Sequence, residues 1–353
     1  MRNVNSKFWK DKNVFLTGHT GFKGGWLTLW LSELGANVYG FSLDPPTEPN
    51  FFNATKLKSR LKASFIGDIR DSDSLIKSVT IAKPDLVFHL AAQPIVRDSY
   101  QNPIETLSSN VLGTANLLEA VRKSSSVRAI VNVTSDKCYE DRGENIPYRE
   151  TDSLGGSDPY SASKACAEIV ANAYLLSFFS GSHQNLASAR AGNVVGGGDW
   201  ANERLIPDFF RALGSRQPII IRHPNAIRPW QHVLEPLSGY LALAEKLFDA
   251  GQNFCGAWNF GPRDQDIRPV SWIVDHLMRR QPTAAFEIND IGNPYESSWL
   301  QIDSSKAHHK LDWSPRWNLE VALDMTLDWY QGWLEGSNMA SLTEQQISDY
   351  CST

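Results

Sequence analysis

The stretch Asn13-Val-Phe-Leu-Thr17, followed at once by Gly18-His-Thr-Gly-Phe-Lys-Gly24, decides the fold of this chain. Its apolar first half predicts a short buried strand, and the apolar residues after it, up to Gly35, predict a helix. Glycines between a strand and a helix allow a tight turn and let the backbone approach a pyrophosphate, whose charge the helix N-terminus then faces. The spacing is Gly-x-x-Gly-x-x-Gly, and because strand and helix flank it, we favour a dinucleotide-binding turn over a purely structural one.

Further apolar runs alternate with helix-like segments up to about residue 190. Strands are predicted over 37–41, 65–69, 85–90, 129–134 and 186–190, and helices near 73–83, 103–123 and 158–180. This alternation predicts an α/β protein with a doubly wound parallel sheet of the Rossmann type, covered by helices on both faces. Ligands of such sheets bind beyond the carboxyl ends of the strands. The residues expected there are Gly18, Asp68, Ala91, Thr134 and Asn193.

The pattern changes near residue 190, after which turn signals and mixed polarity dominate. We predict that residues 1–190 form an NAD-binding Rossmann-type domain that also carries the catalytic residues. Residues 191–353 are predicted to form mostly a smaller C-terminal substrate-binding lobe, with some segments free to return to the main sheet. Helices are expected in it near 233–250 and over 319–335, and the last residues, 338–353, are expected to be a mobile tail.

Two short motifs carry the candidate catalytic groups, Thr134-Ser-Asp-Lys137 and Tyr160-Ser-Ala-Ser-Lys164. Tyr160 and Lys164 are four residues apart, so they share one face of a helix. An ammonium beside a phenol stabilises the phenolate, and we therefore expect Lys164 to lower the pKa of Tyr160 toward neutrality. Such a tyrosine can take a proton from an alcohol while a hydride leaves the same carbon. A lone Tyr-x-x-x-Lys is a weak pattern, but here it follows the glycine turn.

The end of the second predicted strand bears on the choice of cofactor. Ser42 takes the position where an acid for the adenosine ribose or an arginine for a 2′-phosphate is expected, and Asp44 follows it. No Lys or Arg is adjacent and Asp44 would repel a phosphate, so we predict NAD rather than NADP. His19 is expected to neighbour the phosphates rather than to act as a catalyst. The predicted cofactor-binding residues are Gly18, His19, Gly21, Phe22, Lys23, Gly24, Ser42, Asp68, Ile69, Leu90, Ala91, Ala92, Tyr160 and Lys164.

The substrate site is predicted mainly from the second half of the chain. Pro218-Ile-Ile-Ile-Arg222 is an apolar strip that ends in a cation, suited to stacking a base and approaching a phosphate. Arg222 and Arg228 can bind a diphosphate through their forked donors, or they can be ordinary surface charges. His232 is undecided between packing and sugar contact. The predicted substrate-binding residues are Gln93, Asn193, Arg204, Leu205, Ile219, Arg222, Arg228 and His232.

Composition excludes several classes of partner. The net charge of −5 gives no basic patch for nucleic acid or an anionic membrane, and no apolar run is long enough for a membrane span. The four cysteines, Cys138, Cys166, Cys255 and Cys351, lack metal-site spacing and are expected to be reduced, as in a cytoplasmic protein. The adjacent His308 and His309 have no acidic cluster beside them, so no metal site is predicted. The polar N-terminal stretch does not look like a secretory signal.

Together, the glycine turn, His89-Leu-Ala-Ala92, Thr134 and Tyr160-x-x-x-Lys164 resemble the extended short-chain dehydrogenase/reductase superfamily over nearly the whole chain. Within it, Thr134-Ser-Asp-Lys137 looks like the nucleotide-sugar 4,6-dehydratases. The runs from Gly18 to Trp26 and from Arg228 to Val233 are similar to members that act on CDP-glucose. Ser42 and His19 depart from the pattern of the superfamily. The resemblance implies a cytoplasmic bacterial lyase that uses NAD, assembles as a homo-oligomer (dimer or tetramer) and serves surface polysaccharide synthesis, as for the O-antigen of lipopolysaccharide.

The resemblance also implies roles for the residues around Thr134. Thr134 would hydrogen-bond the 4-hydroxyl of the sugar while Tyr160 removes its proton. Asp136 would be the acid that protonates the departing 6-hydroxyl, and Lys137 the base that takes the C5 proton. From the residues alone, Asp136 and Lys137 could equally be a solvated charge pair, since both types are usually exposed.

Two other functions remain open on the same fold. One is an epimerase or reductase acting on a nucleotide sugar, which would not need an acid–base pair after Thr134. The other is a redox-sensing protein that holds NAD without turnover, which would not need the pair of Tyr160 and Lys164 that is intact here.

Overall fold

The computed structural model describes residues 4–289 and 299–353. Apolar β-branched and aromatic runs form its strands, as expected for segments buried in a sheet. The strands are β1 (Asn13–Thr17), β2 (Asn37–Ser42), β3 (Ala63–Ile66), β4 (Leu86–His89), β5 (Ala129–Val133), β6 (Asn185–Ala191), β7 (Val194–Val195), β8 (Ile219–Ile221), β9 (Ile227–Arg228), β10 (Gln231–His232), β11 (Gly256–Phe260), β12 (Arg268–Pro269) and β13 (Phe286–Ile288).

Seven of these strands form one parallel sheet in the order β11-β6-β5-β4-β1-β2-β3. Strand β1 is an interior strand, where Val14 pairs with Val38 of β2 on one side and with Leu86 of β4 on the other. The predicted α/β fold with a doubly wound parallel sheet is confirmed. The third strand ends at Ile66, earlier than predicted, so that Asp68 lies in the loop beyond it.

The helices lie between and around these strands. They are α1 (Ser6–Trp9), α2 (Phe22–Glu33), α3 (Phe51–Ala54), α4 (Ser72–Ala82), α5 (Val96–Gln101), α6 (Pro103–Leu107), α7 (Gly113–Arg122), α8 (Pro159–Tyr174), α9 (Leu205–Ser215), α10 (Leu234–Ala250), α11 (Val270–Arg280), α12 (Ser305–Leu311), α13 (Leu319–Leu334) and α14 (Met339–Ser352). A π-helical turn, Ser108–Leu112, joins α6 to α7, and a second one, Leu175–Phe179, extends α8.

Helices cover both faces of the sheet. Side chains alternate along β1, so that Val14 and Leu16 join a cluster with α2, α10, α13 and α14, while Phe15 joins a second cluster with α4, α7 and α8. A strand covered on both faces is apolar throughout, which is why β1 and β5 read as continuous apolar runs in the sequence.

The chain returns to the main sheet after residue 190. Strand β11 pairs in parallel with β6, with Gly256 opposite Ala187 and Phe260 opposite Ala191. Smaller two-stranded pairings, β7 with β10, β8 with β13 and β9 with β12, lie in the same half of the chain. The division of the chain at residue 190 into two functional parts stays a prediction.

The C-terminal segment is a packed helix, and the prediction of a mobile tail is wrong. Met339, Ile347 and Tyr350 recur at helical spacing and are buried in α14. The Tyr350 hydroxyl donates to Glu235 Oε2 at 2.7 Å, which attaches α14 to the start of α10. Within the described ranges, we find no helix with the length and apolar character needed to cross a membrane.

Candidate active site

The glycine turn after β1 is shaped by close contacts that only glycine permits. Gly18 has a φ of 81°, and a Cβ on it would lie 2.8 Å from the Ala91 nitrogen at the end of β4. A Cβ on Gly24 would lie 2.0 Å from the Gly18 oxygen, which fixes the start of α2 against the turn. On Gly21 the nearest atom would be 3.4 Å away, so the outer side of the turn is open. An open turn of this kind, at a helix N-terminus, fits a pyrophosphate.

His19 does not face this turn, contrary to its prediction as a cofactor-binding side chain. Its ring is fully buried against Gly40 of β2, with Nε2 at 2.8 Å from Ser64 Oγ. Burial lowers the pKa of His19 to about 4, which keeps the ring neutral. The His19 ring is therefore a packing group between the glycine turn and β2.

The ends of β2 and β3 hold the remaining groups predicted for the adenosine side. Ser42 is buried and its hydroxyl lies 2.7 Å from Thr20 Oγ1, so it supports the glycine turn from behind. The Asp68 carboxylate is paired with Arg70, at 2.5 Å from its Nη2, and this pairing lowers the pKa of Asp68. Ile69 is buried in the core against Gly113, so its side chain is a packing group.

A hydrogen-bond cluster beneath the ends of β1 and β4 was not predicted. Thr17 Oγ1 lies 2.7 Å from His89 Nδ1 and accepts from the backbone nitrogens of Leu90 and Ala91, at 3.1 and 3.2 Å. This network fixes the Leu90–Ala92 segment, whose partly buried residues line the cleft beside the glycine turn. Burial lowers the pKa of His89 to about 3, so it acts as a neutral structural group.

Helix α8 presents Tyr160 and Lys164 on one face, as the spacing predicts. The Asp158 side chain caps the helix by accepting from the Ser161 nitrogen, and Pro159 occupies the first turn. The Tyr160 nitrogen donates to Ser99 Oγ at 3.1 Å, which ties the helix start to α5. Lys164 Nζ lies 6.0 Å from the centre of the Tyr160 ring.

The pKa of Tyr160 shifts in the direction opposite to the expected one. Burial raises it to about 12, and the hydrogen bond with Ser135 and the charge of Arg204 offset the effect only in part. Burial lowers the pKa of Lys164 to about 8. The expectation failed because it counted the ammonium alone, whereas the loss of water around both side chains outweighs it.

The turn after β5 brings the other candidate groups beside this pair. Thr134 Oγ1 donates to Glu168 Oε1 at 2.5 Å. Asp136 is buried, and burial raises the pKa of its carboxyl. Its Oδ1 accepts from Ser135 Oγ at 3.0 Å, while Oδ2 has no hydrogen-bond partner among the described residues. Asp136 is therefore not part of a solvated charge pair.

Lys137 lies in the wall of a small pocket that is open to solvent. Tyr139 and Tyr148 stack in parallel in this wall, with ring centres 4.9 Å apart and an angle of 11°. The lining also includes Asp158, Ser161, Arg228 and Leu300. Of these lining residues only Lys137 and Arg228 were predicted, because the two tyrosines and Leu300 come from loops whose proximity is not visible in the sequence.

The structure places some of the predicted substrate residues near the pocket and the strand ends, and others in the core. Arg228 is buried at the pocket, Gln93 and Asn193 are partly buried near the strand ends, and Leu205 begins α9. Arg204 pairs with Asp199 at 2.7 Å.

His232, which the sequence left undecided, and Ile219 are both buried in the core, and this favours packing over contact with the substrate. The His232 ring lies between Trp26 and Trp317, with ring centres 5.6 and 4.9 Å away, and burial lowers its pKa to about 3. In the apolar strip, Ile219 packs inward and Ile220 is the exposed residue.

Lys23 was predicted as a cofactor-binding residue of the turn, and the structure also brings it near the catalytic groups. Burial lowers its pKa to about 8, and the charges of Arg204 and Lys164 add to this lowering while Asp136 opposes it. Lys23 therefore lies within electrostatic reach of the groups that surround Tyr160.

The comparisons with known proteins agree with this geometry. Residues 14–259 match the profile described as the NAD dependent epimerase/dehydratase family. The chain is also 49% identical to CDP-glucose 4,6-dehydratase of Salmonella typhimurium over 355 residues, with 99% of each protein covered.

The chain belongs to the NAD dependent epimerase/dehydratase family. The resemblance stated from the motifs is thereby confirmed, and so is NAD as the cofactor. A more distant member is dTDP-glucose 4,6-dehydratase of Xanthomonas campestris, 26% identical over 91% of this chain and 94% of that protein.

Solved structures show that the family fold is present. UDP-glucose-4-epimerase from Stenotrophomonas maltophila, with bound NAD, has a TM-score of 0.81 at 20% identity and covers 92% of this chain and 100% of its own. The dTDP-glucose 4,6-dehydratase of Bacillus anthracis in complex with NAD has a TM-score of 0.75, 20% identity, and covers 92% of this chain and 98% of its own. The open glycine turn of the present chain fits the pyrophosphate of NAD.

Proposed function

We propose that this chain is a hydro-lyase that converts CDP-glucose to CDP-4-keto-6-deoxyglucose. The observation that carries the proposal is the buried acid Asp136 next to Lys137, at the strand end that also bears Thr134. The high identity to a relative named CDP-glucose 4,6-dehydratase supports the same reaction and the same nucleotide. An epimerase or reductase has no step that uses this acid, and a binding protein without turnover has no use for Tyr160 and Lys164.

The first step is the oxidation of the sugar at C4. Tyr160 takes the proton of the 4-hydroxyl, and Ser135 and Arg204 are the groups that favour its phenolate against the effect of burial. The glycine turn from Gly18 to Gly24 would hold NAD, which would supply the acceptor for the C4 hydride and the donor of the hydride at C6. Lys164 holds a positive charge on the same helix face as Tyr160.

The second step is the elimination of water across C5 and C6. Because burial raises the pKa of Asp136, its carboxyl keeps a proton at higher pH than an exposed aspartate and can give it to the departing 6-hydroxyl. Lys137 Nζ takes the C5 proton, which the C4 ketone has made acidic. The electrons of the C5–H bond form a C5=C6 double bond as the C6–O bond breaks and water leaves, so Asp136 has given one proton and Lys137 has taken one.

The test is an incubation of the purified protein with CDP-glucose and NAD. A 4-keto-6-deoxy sugar is expected to form and to absorb in the ultraviolet after alkali treatment, with no net consumption of NAD. Steady accumulation of reduced cofactor that matches the product one for one would indicate a simple dehydrogenase. Formation of a CDP-hexose without the alkali-dependent absorbance would indicate an epimerase.

We also propose a homo-oligomer, a dimer or a tetramer, formed through the helices on one side of the sheet. Large apolar side chains are exposed along the segments α6–α7 and α8 with their π-helical turns. They are Ile104, Leu112, Ile169, Leu176 and Phe178. A second copy that presents the same face would cover them. Light scattering is expected to give at least a dimer for the wild type and a smaller species for Leu176→Glu; a monomeric wild type contradicts the proposal.

We further propose that the enzyme works in the cytoplasm and serves the synthesis of surface polysaccharide, as in O-antigen of lipopolysaccharide. Its cysteines are free thiols, which is typical of a reducing compartment. A 4-keto-6-deoxy sugar is a precursor suited to deoxygenation or amination in such polymers. Deletion of the gene in its host is expected to remove a deoxysugar from the surface polysaccharide; an unchanged sugar composition would contradict this role.

A further inference from the structure

The hydroxyl of Ser135 connects the two groups that serve as base and acid in the proposed function. Its Oγ donates to Asp136 Oδ1 at 3.0 Å and accepts from the Lys137 nitrogen at 3.2 Å. It also shares a hydrogen bond with the Tyr160 side chain. Because the single proton of the Ser135 hydroxyl goes to Asp136, the Tyr160 hydroxyl is the donor in that bond. The hydrogen bonds therefore run in one direction, from Tyr160 through Ser135 to Asp136.

These three side chains are shielded from water. Tyr160, Ser135 and Asp136 have exposed fractions of 8%, 7% and 2%. A Cβ on Gly192 would lie 2.8 Å from Asp136 Oδ2, so the chain at Gly192 packs against the carboxyl. Lys137, by contrast, lies in the wall of the pocket that is open to solvent. The base for C5 can therefore exchange its proton with water, whereas Asp136 exchanges protons through the side chains around it.

The proposed reaction requires one proton to pass between Tyr160 and Asp136 in every cycle. Oxidation leaves Tyr160 with the proton of the 4-hydroxyl, and elimination takes one proton from Asp136. Lys137 takes the C5 proton, and C5 receives a proton again when hydride reaches C6, so this base is restored by the reaction itself. At the end of a cycle Tyr160 has gained one proton and Asp136 has lost one. The enzyme is restored when a single proton moves from Tyr160 to Asp136.

We propose that Ser135 relays this proton from the Tyr160 hydroxyl to Asp136; this rests on the proposed function. As the O–H bond of Tyr160 breaks, its proton forms a new bond to Ser135 Oγ, and the former Ser135 proton bonds to Asp136 Oδ1. Ser135 ends with one hydroxyl proton, as it began. The phenolate of Tyr160 then takes the proton of the sugar 4-hydroxyl. Asp136 now carries the proton that the departing 6-hydroxyl needs.

The charge states of the cleft support such a transfer. Burial raises the pKa of Tyr160 to about 12, so the phenol does not give its proton to water near neutral pH. Burial also raises the pKa of Asp136, which makes its carboxylate a better proton acceptor than an exposed aspartate. The relay therefore explains how a tyrosine with so high a pKa acts as a base. The other charged groups that act on the pair are Lys23, Lys137, Asp158, Arg204 and Arg228.

The relay is tested by the rate at which NAD is reduced on mixing the protein with NAD and CDP-glucose. Ser135→Ala and Asp136→Asn should each slow this reduction by about 10²- to 10⁴-fold, although oxidation precedes elimination. The double variant should lose no more than either single one, because both break the same transfer. Asp266→Asn is the matched control, since Asp266 is 7% exposed and accepts from the Leu319 nitrogen at the start of α13; it should reduce NAD at the wild-type rate.

The pH dependence separates a broken relay from a disturbed structure. In Ser135→Ala the Tyr160 proton can leave only to water, so the rate of NAD reduction should rise about tenfold for each pH unit between about pH 7 and 9. The wild-type rate should stay level over this range, because the proton remains within the protein. Ser135→Thr keeps a hydroxyl and should restore the wild-type rate and profile. Melting temperature and NAD binding report whether each variant is folded.

Two results would overturn the relay. One is an Asp136→Asn variant that reduces NAD at the wild-type rate, since Asp136 would then act in elimination alone. The other is a wild-type rate that itself rises tenfold for each pH unit, and this measurement needs no variant. Product formation by the wild type is measured separately: a wild type that forms no 4-keto-6-deoxy sugar contradicts the proposed function, whereas the two results above contradict only the relay.

Discussion

At the scale of single residues, burial decides the charge states in the cleft. It raises the pKa of Tyr160 to about 12 and lowers the pKa of Lys164 to about 8, and it raises the pKa of Asp136 as well. All three shifts favour the neutral form of the group, as expected where water is excluded. The phenolate of Tyr160 therefore depends on the neighbours that oppose the effect of burial, Ser135 and Arg204.

The first residue-scale prediction concerns Tyr160. Tyr160→Phe is expected to lower kcat by about 10²- to 10⁴-fold, since it removes the group that takes the 4-hydroxyl proton. The measurement is steady-state turnover of CDP-glucose. Tyr174→Phe makes the same chemical change near the other end of α8 and should leave kcat unchanged. A Tyr160→Phe variant with wild-type turnover would remove Tyr160 from the mechanism.

The second residue-scale prediction separates oxidation from elimination. In deuterated water the wild type should place deuterium at C5 of the product. Lys137→Ala should still reduce NAD on mixing with CDP-glucose but should form product about 10²- to 10⁴-fold more slowly, because the base for C5 is missing. The exposed Lys62→Ala, at the far edge of the sheet, serves as the control. Normal elimination by Lys137→Ala would mean that the base lies elsewhere in the cleft.

At the scale of elements, the turn before α9 connects the two sides of the cleft. Glu203 forms ion pairs with Arg222, which follows β8, and with Arg97 of α5, at 3.5 Å in the second case. Arg222 was predicted to bind the diphosphate of the substrate. The Glu203 carboxylate would therefore compete with an anionic substrate for Arg222.

This arrangement makes an element-scale prediction. Glu203→Gln is expected to lower KM for CDP-glucose by at most about fivefold, because a partly exposed ion pair is worth up to about 1 kcal/mol. The kcat should not change, since Glu203 does not contact the reacting atoms. Glu144→Gln, an exposed acid away from this turn, is the comparison variant. A higher KM in Glu203→Gln would indicate that Glu203 organises the arginines for substrate rather than competing with it.

At the scale of the whole molecule, Glu235 connects the C-terminal helix to the core. Its carboxylate accepts from the Tyr350 hydroxyl at 2.7 Å and from the nitrogens of Arg316 and Trp317 at 3.0 and 2.7 Å. Burial raises the pKa of Glu235 from 4.5 to about 7. Such a group binds its proton more tightly in the folded than in the unfolded chain, so its contribution to stability is complete below pH 4.5 and is lost as pH rises toward about 7.

The corresponding prediction is a pH-dependent stability that one substitution removes. Between about pH 4.5 and 7 the free energy of unfolding of the wild type should lose up to about 3 kcal/mol from this group. Glu235→Gln cannot titrate, so its stability should fall less over the same range in denaturant unfolding. Parallel curves for the two proteins would show that Glu235 has an ordinary pKa in the folded state.

Local patterns in the sequence were sufficient to predict the architecture of the sheet and part of the candidate active site. Strand β1 and the glycine turn could be predicted because an apolar run and the conformational needs of a turn depend only on a few neighbouring residues. The shared face of Tyr160 and Lys164 follows from helix spacing in the same way.

Only the tertiary structure decided the environment of those residues. Glu168 meets Thr134 and Arg190 because α8 packs over the ends of β5 and β6, a contact between segments far apart in the chain. His19 and His232 looked available in the sequence and are enclosed in the core. The pKa of Tyr160 moved against expectation because desolvation sums over every element that packs around a group, and that sum exists only after folding.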